Sequence, residues 1–312
     1  MLEITNLMKS FGDFRALNNM NLSIQKGELF GFVGPNGAGK TTTMKIVCGL
    51  LKADSGRVMV DGIDAIRHID QVKDKIGYMP DFFGTYDNLR AIEYLEFYAS
   101  IYGINGKEAR RLCLDLLELV NLSDKAEAYV DGLSRGMKQR LCLARCLVHN
   151  PELLILDEPA SGLDPRARFE MKGILRNLCE MGKTIVISSH ILPELAEMCT
   201  SIGIVQKGHM IVNGPVDRIM SNFNMGNPIR LKFAFNMDKA VTVLKEDPFV
   251  ENISLLENSV SIGFQGDEKA EALLLSKLIE SGAGVSYFAR EESNLESLFM
   301  EITKTQGDEV YE

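Results

Sequence analysis

Apolar residues alternate or run together over residues 2–8 and 21–33, as they do in strands, with turn signals at Gly12-Asp13 and Gly27. The run GELFGFV leads straight into a glycine-rich segment. Beyond it Met44, Val47, Cys48 and Leu51 fall at i, i+3, i+4 and i+7, one face of a helix that Asp54-Ser55-Gly56 is expected to end. RVMVDG reads as the next strand. From about residue 81 to 150 the pattern turns helical, with one stripe of Ile92, Leu95, Ala99 and Tyr102. A second stripe holds Ala109, Leu112, Cys113, Leu116, Leu117 and Val120. Apolar runs return at 153–157, 184–189 and 202–208, with helices expected between them. The alternation predicts an α/β domain over residues 1–220, with a largely parallel sheet and a mostly helical insert at about 81–150.

A weakly patterned stretch, 221–228, reads as a linker. After it come a strand with Ile229, Leu231, Phe233 and Phe235 on one face, and a short helix from Lys239. Strands near 250–255 and 259–264, a helix over 268–280, a strand at 284–289 and a last helix near 294–304 follow. The order β-α-β-β-α-β predicts a small ferredoxin-like α+β domain over 229–312.

Composition narrows the class. The 312 residues have room for two domains, and 46% hydrophobic with 25% charged residues is globular usage. A net charge of −9 speaks against a broad electrostatic grip on nucleic acid, so no nucleic-acid partner is expected. No apolar run approaches the roughly 20 residues that span a bilayer. The opening MLEITNLMKSFG lacks the basic start and apolar stretch of a secretion signal. A cytoplasmic chain is expected, touching a membrane only through a partner. The six cysteines are scattered. Cys142 and Cys146 lie four apart on a predicted helix, but no histidine or further cysteine stands at metal-binding spacing. They read as small core residues of a reducing compartment.

Two segments carry chemistry by themselves. GPNGAGKTT, residues 34–42, fits the phosphate-loop pattern, preceded by a strand and followed by a helix. Gly34, Gly37 and Gly39 permit the tight turns by which the segment through Pro35, Asn36 and Ala38 aims successive backbone N–H groups at phosphate oxygens, Pro35 itself having none to give. The following helix directs its positive end at the same anion. Lys40 is expected on the β- and γ-phosphates, the Thr41 hydroxyl on Mg²⁺, and Thr42 on the α-phosphate. LLILDEP ends an apolar strand with two carboxylates, where open α/β sheets place ligands. Asp157 is expected to hold Mg²⁺ through a water, and Glu158 to point at the water attacking the γ-phosphate and act as its base or polariser.

With LSRGMKQR from Leu133, SGLDP from Ser161 and the histidine ending TIVISSH, these segments resemble the nucleotide-binding subunit of ATP-binding cassette (ABC) transporters. The resemblance covers residues 1 to about 220 and implies a phosphate-loop NTPase cassette that hydrolyses ATP with Mg²⁺. It implies a head-to-tail homodimer, in which Ser134 and Gly136 of the signature segment cover the γ-phosphate held by the other copy. It places Ser161 and Asp164 in the loop between the two sites, His190 on the γ-phosphate and attacking water, and Phe11 on the adenine. By itself, Leu133–Arg140 also reads as a helix capped by Ser134 with a solvated basic face, and Phe11 also reads as a strand-end core residue.

The chain departs from the family pattern. Asp81 stands where the family usually has a glutamine that touches Mg²⁺ and senses the membrane partner, so the carboxylate is a candidate metal ligand beside the phosphates. Arg135 and Met137 replace the signature's first glycine and its glutamine, and Arg135 either reaches nucleotide oxygens or faces solvent. The aromatic loop Phe82-Phe83-Gly84-Thr85-Tyr86 either meets a permease helix or packs inside the insert.

The segments together look like the ABC-2 exporter branch, implying an ATPase at the cytoplasmic face of the plasma membrane that drives a separate permease. The competing readings are an ABC ATPase acting on ribosomes or DNA, and a module that senses ATP without turnover. The single cassette, the lack of sustained heptads and the acidic charge weigh against the first; an intact Glu158 weighs against the second.

Overall fold

The computed structural model describes residues 1–81, 84, 88–189, 195, 198–219, 228–256 and 259–290. The chain divides into two compact units, Met1–Val216 and Asp217–Glu312.

The first unit begins with β1 (Leu2–Phe11), β2 (Phe14–Ile24), β3 (Leu29–Val33), α1 (Lys40–Val47), β4 (Ser55–Val60) and β5 (Ile63–Asp64). The short α2 (Ile69–Val72) and β6 (Ile76–Met79) lead to the insert helices α3 (Ala91–Ile101), α4 (Gly106–Leu119) and α5 (Arg135–Leu147). Then come β7 (Leu153–Leu156), α6 (Pro165–Glu180), β8 (Thr184–Ser189), β9 (Ser201–Gln206) and β10 (His209–Pro215).

One sheet is antiparallel, in the order β2-β1-β4-β5. The other runs β10-β9-β3-β8-β7-β6 and is parallel throughout except at β10. Every residue of β3, β7 and β8 is buried, which is why these strands are unbroken apolar runs rather than alternating ones. Phe30 and Phe32 anchor the core that β1, β2 and α1 also enter.

The insert is held to α6 by Arg140, only 6% exposed. Its guanidinium donates to the carbonyls of Val120 and Asn121 at the end of α4 (3.1 and 3.0 Å) and pairs with Glu170 at 3.1 Å. A cation there also opposes the negative end of the α4 dipole.

Three local expectations are corrected. The helix after the glycine segment stops at Val47, because Gly49 turns left-handed (φ +70) and a Cβ there would lie 2.4 Å from Ile69. Leu51 reaches the core from the turn instead. Tyr102 is 43% exposed, its ring stacked on His149 at 4.2 Å rather than packed in the helical stripe. The four-residue β6 was not legible as a strand, being too short to show a period.

The second unit comprises β11 (Ile229–Phe235), α7 (Met237–Glu246), β12 (Val250–Leu256), β13 (Ser259–Phe264), α8 (Glu268–Glu280) and β14 (Gly284–Arg290). Its sheet order, β12-β13-β11-β14, is that of a ferredoxin-like sandwich. Ile229, Leu231, Val260 and Ile262 face Leu244 of α7 and Leu274 of α8. Phe235, expected on the same face, is 63% exposed. Register shifts on either side of Phe233 rotate it away, and its ring lies over Gly284. The expected helix near 294–304 and residues 221–227 lie outside the described residues.

Leu231 is fully buried at the centre of this second core. Leu231→Ala is therefore expected to cost about 2–5 kcal/mol in urea denaturation followed by circular dichroism; a loss under about 0.5 kcal/mol would contradict the assignment.

Candidate active site

The segment between β3 and α1 turns twice through left-handed glycines, Gly37 at φ +79 and Gly39 at φ +109. Gly39 is also the helix N-cap, and a Cβ there would sit 2.6 Å from the Leu17 side chain and 2.8 Å from the Ala16 carbonyl. Side chains other than hydrogen are excluded, so the loop passes close over β2. The Ala38 N–H donates to the Pro35 carbonyl (3.1 Å), closing the turn. Lys40 is buried at the first helical position, its Nζ donating to the carbonyls of Gly34 (2.6 Å) and Pro35 (3.2 Å). Burial pushes its ammonium pKa below the usual lysine value, opposed by the charges of Glu158 and Asp157.

Asp157 and Glu158 follow β7 directly. Asp157 is 2% exposed; its N–H donates to the Met79 carbonyl (2.8 Å) and its Oδ1 accepts from the Ser188 hydroxyl at 2.6 Å. Glu158 adopts φ +52, a left-handed conformation uncommon for a residue with a side chain, and its N–H donates to Ser188 Oγ at 2.9 Å.

A cavity of about 210 Å³ joins these parts. Phe11, the loop from Asn36 through Gly37, Ala38, Gly39 and Lys40 to Thr41 and Thr42, and the carboxyl residues Asp81, Asp157 and Glu158 all line it. Gly34 and Pro35 stand behind it as acceptors for Lys40. Phe11 is 50% exposed at the end of β1, so it is no core residue. Thr41, Asp157 and Asp81 supply hard oxygen donors to one space, a set that suits magnesium.

Ser134, Gly136, Ser161 and Asp164 are not among the residues lining this cavity; they form a second cluster where α5 meets α6. Ser134 caps α5, its Oγ accepting from the Met137 N–H at 3.3 Å. Asp164 caps α6 in the same way, accepting from Ala167 at 2.8 Å. Gln139 donates to the Ser161 carbonyl (3.2 Å), and a Cβ on Gly136 would come within 2.8 Å of that of Ala167. The Arg135 guanidinium lies over Gly162, so close that a Cβ there would sit 2.4 Å from it. His190 and, apart from Gly84, the aromatic loop at 82–86 lie outside the described residues.

Three residues of the site were missed in the sequence. Phe14 and Ala16 line the cavity with Phe11. The Gly12-Asp13 turn signal is enough to pair Phe14 with Phe11 across the β1–β2 hairpin, as observed. Ser188 had no signal beyond its place at the end of an apolar strand.

The family model described as ABC transporter matches residues 17–161. The linearmycin resistance ATP-binding protein LnrL of Bacillus subtilis (strain 168) is 32% identical over 305 residues, 97% of this chain and 98% of that one. The bacitracin transport ATP-binding protein BcrA of Bacillus licheniformis is 34% identical over 310 residues, 97% of each chain. Among solved structures, a dimeric post-hydrolysis ATP-binding cassette bound to ADP and Pi aligns with a TM-score of 0.63 at 28% identity, covering 69% of this chain and 99% of that one.

Removing the Lys40 ammonium deletes the one side-chain cation among the described residues lining the cavity. Lys40→Ala is expected to raise the Kd for ATP at least about tenfold in calorimetric titration, or about 1.4 kcal/mol. An unchanged Kd would contradict the assignment.

Proposed function

Because this chain belongs to the ATP-binding cassette transporter family, we propose that it is the ATP-hydrolysing subunit of an exporter, driving a separate membrane permease as two copies close head to tail on ATP. The observation that carries this reading is the convergence of the glycine loop, Lys40, Asp157 and Glu158 on one cavity.

The roles follow from position. Loop amides and Lys40 hold the phosphates, and the exposed face of Phe11 offers a stacking surface for adenine. Thr41, Asp157 and Asp81 would hold magnesium, which when bound neutralises charge on the β- and γ-phosphates. Glu158 takes a proton from the attacking water. The resemblance of its segment, not its position, assigns His190 to the γ-phosphate and that water.

The signature cluster supports the pairing of two copies. Ser134 is exposed at the positive end of α5, outside its own chain's cavity, and so is available to a phosphate held by another copy. Ser161 and Asp164, packed beside it, would pass between the two sites.

Among the described residues no helix is long and apolar enough to cross a membrane, so the crossing is assigned to a partner. Leu50, Phe97, Ile101 and Tyr102 are large, exposed and apolar, and Leu50 and Tyr102 line a cavity between the core and the insert, a surface suited to such a partner. The export direction rests on relatives named for linearmycin resistance, bacitracin transport and Nod factor export.

Glu158→Gln is expected to bind ATP normally, lose nearly all phosphate release and accumulate as an ATP-bound dimer in size-exclusion chromatography. Rapid turnover by that variant would sink the role given to Glu158. Tagged chain drawn from detergent-extracted membranes is expected to carry a multi-helix membrane protein; recovery of ribosomes or DNA instead would favour a non-transport ATPase.

A further inference from the structure

Ser188 sits one residue before the end of β8, and none of its surface is exposed. A hydroxyl has one proton to give and two lone pairs to accept with. Here the proton goes to Asp157 Oδ1 at 2.6 Å, and a lone pair receives the Glu158 N–H at 2.9 Å. One atom thus touches both acids of the site, through the side chain of the first and the backbone of the second.

The second contact falls where the chain leaves its preferred conformation. β7 ends at Leu156, and Glu158 stands at φ +52, where a side chain on Cα is disfavoured. Such a conformation persists only when its surroundings fix it. The hydrogen bond from its N–H to Ser188 is one such restraint, beside the Ser161 N–H that its carbonyl accepts at 3.1 Å, and it is made across the sheet rather than along the strand. The first contact fixes the rotation of the Asp157 carboxylate, leaving Oδ2 and the remaining Oδ1 lone pair to serve the cavity.

We propose that Ser188 is a positioning residue for ATP hydrolysis: its hydroxyl sets the Asp157 carboxylate and the left-handed turn at Glu158 together, so that metal ligand and base are aimed at the same phosphate. The proposal rests on the roles given above to Asp157 and Glu158. Ser188 touches no nucleotide in this scheme and acts only through the two acids.

The test compares Ser188→Ala, Ser188→Thr and Ser188→Cys with wild type and Glu158→Gln in the full chain. Ser188→Ala is expected to lower kcat about tenfold while KM for ATP moves less than about twofold. It should also raise the magnesium concentration needed for half-maximal binding of a non-hydrolysable ATP analogue, and leave metal-free ATP binding unchanged. Ser188→Thr, which keeps the hydroxyl, should restore most of the turnover. Ser188→Cys, similar in shape but a weak donor, should behave like Ser188→Ala and serves in its place if the alanine variant does not fold. Wild-type kcat and magnesium dependence in Ser188→Ala, or in Ser188→Cys where that stands in, would overturn the proposal. So would an equal loss in Ser188→Thr, which would assign the effect to packing. If Glu158→Gln itself turns over rapidly, the underlying reading fails instead; a dead Glu158→Gln beside a normal Ser188→Ala refutes Ser188 alone.

Discussion

The backbone ladder that joins β3, β8 and β7 in parallel register brings three chain exits to one edge of the sheet. Val33 pairs with Ser189, and Leu156 with Ile187, so the strands finish almost level. The glycine loop leaves β3, the acid pair leaves β7, and Ser188 stands one residue from the end of β8 between them. Parallel strands buried on both faces cannot slip register without burying polar groups or exposing apolar ones. The positions of Lys40, Asp157 and Glu158 relative to one another therefore follow from the core, not from the loops. A ligand crevice at the carboxyl ends of the strands is the consequence.

The same edge explains why strain is tolerated there. Gly37 and Gly39 take left-handed turns at little steric cost, whereas Glu158 takes one against its own side chain. Its N–H, and the carboxylate before it, are bound to a hydroxyl that belongs to the neighbouring strand. The site is thus fixed by contacts across the sheet, and its precision draws on the stability of β7 and β8. The signature residues stand on different ground: Ser134 and Asp164 are helix caps whose own N–H partners lie within three residues, so their placement depends on where α5 and α6 begin.

Much of this was legible in the sequence because the relevant signals are local. A phosphate loop is contiguous, and its glycines, lysine and hydroxyls are ordered by a strand before and a helix after. The acid pair follows an apolar run whose end is easy to see. Helix-cap residues and the alternation along β11 and β13 are equally local. What escaped was set by tertiary contact. Ser188 looks like any strand-end serine until β8 is laid beside β7. Tyr102 fits a helical stripe by spacing, yet leaves it to stack on His149. Phe235 continues an alternating pattern that a bulge interrupts. Leu51 extends a helical face past the point where Gly49 breaks the helix. For Tyr102 and Phe235 a contact with a distant residue overrode the local period, and for Leu51 the left-handed turn at Gly49 did.

In the proposed pairing, one chain supplies the glycine cradle and acid pair to a phosphate while a second copy supplies its serine-capped helix tip. A crystal structure with a non-hydrolysable ATP analogue and magnesium tests it most directly. Lys40 Nζ is expected to have moved from the Gly34 and Pro35 carbonyls onto the phosphates, with Ser134 of the second copy at hydrogen-bonding distance from the γ-phosphate. A closed pair in which Lys40 keeps its carbonyl partners, or in which Ser134 stays remote from the phosphates, would contradict it.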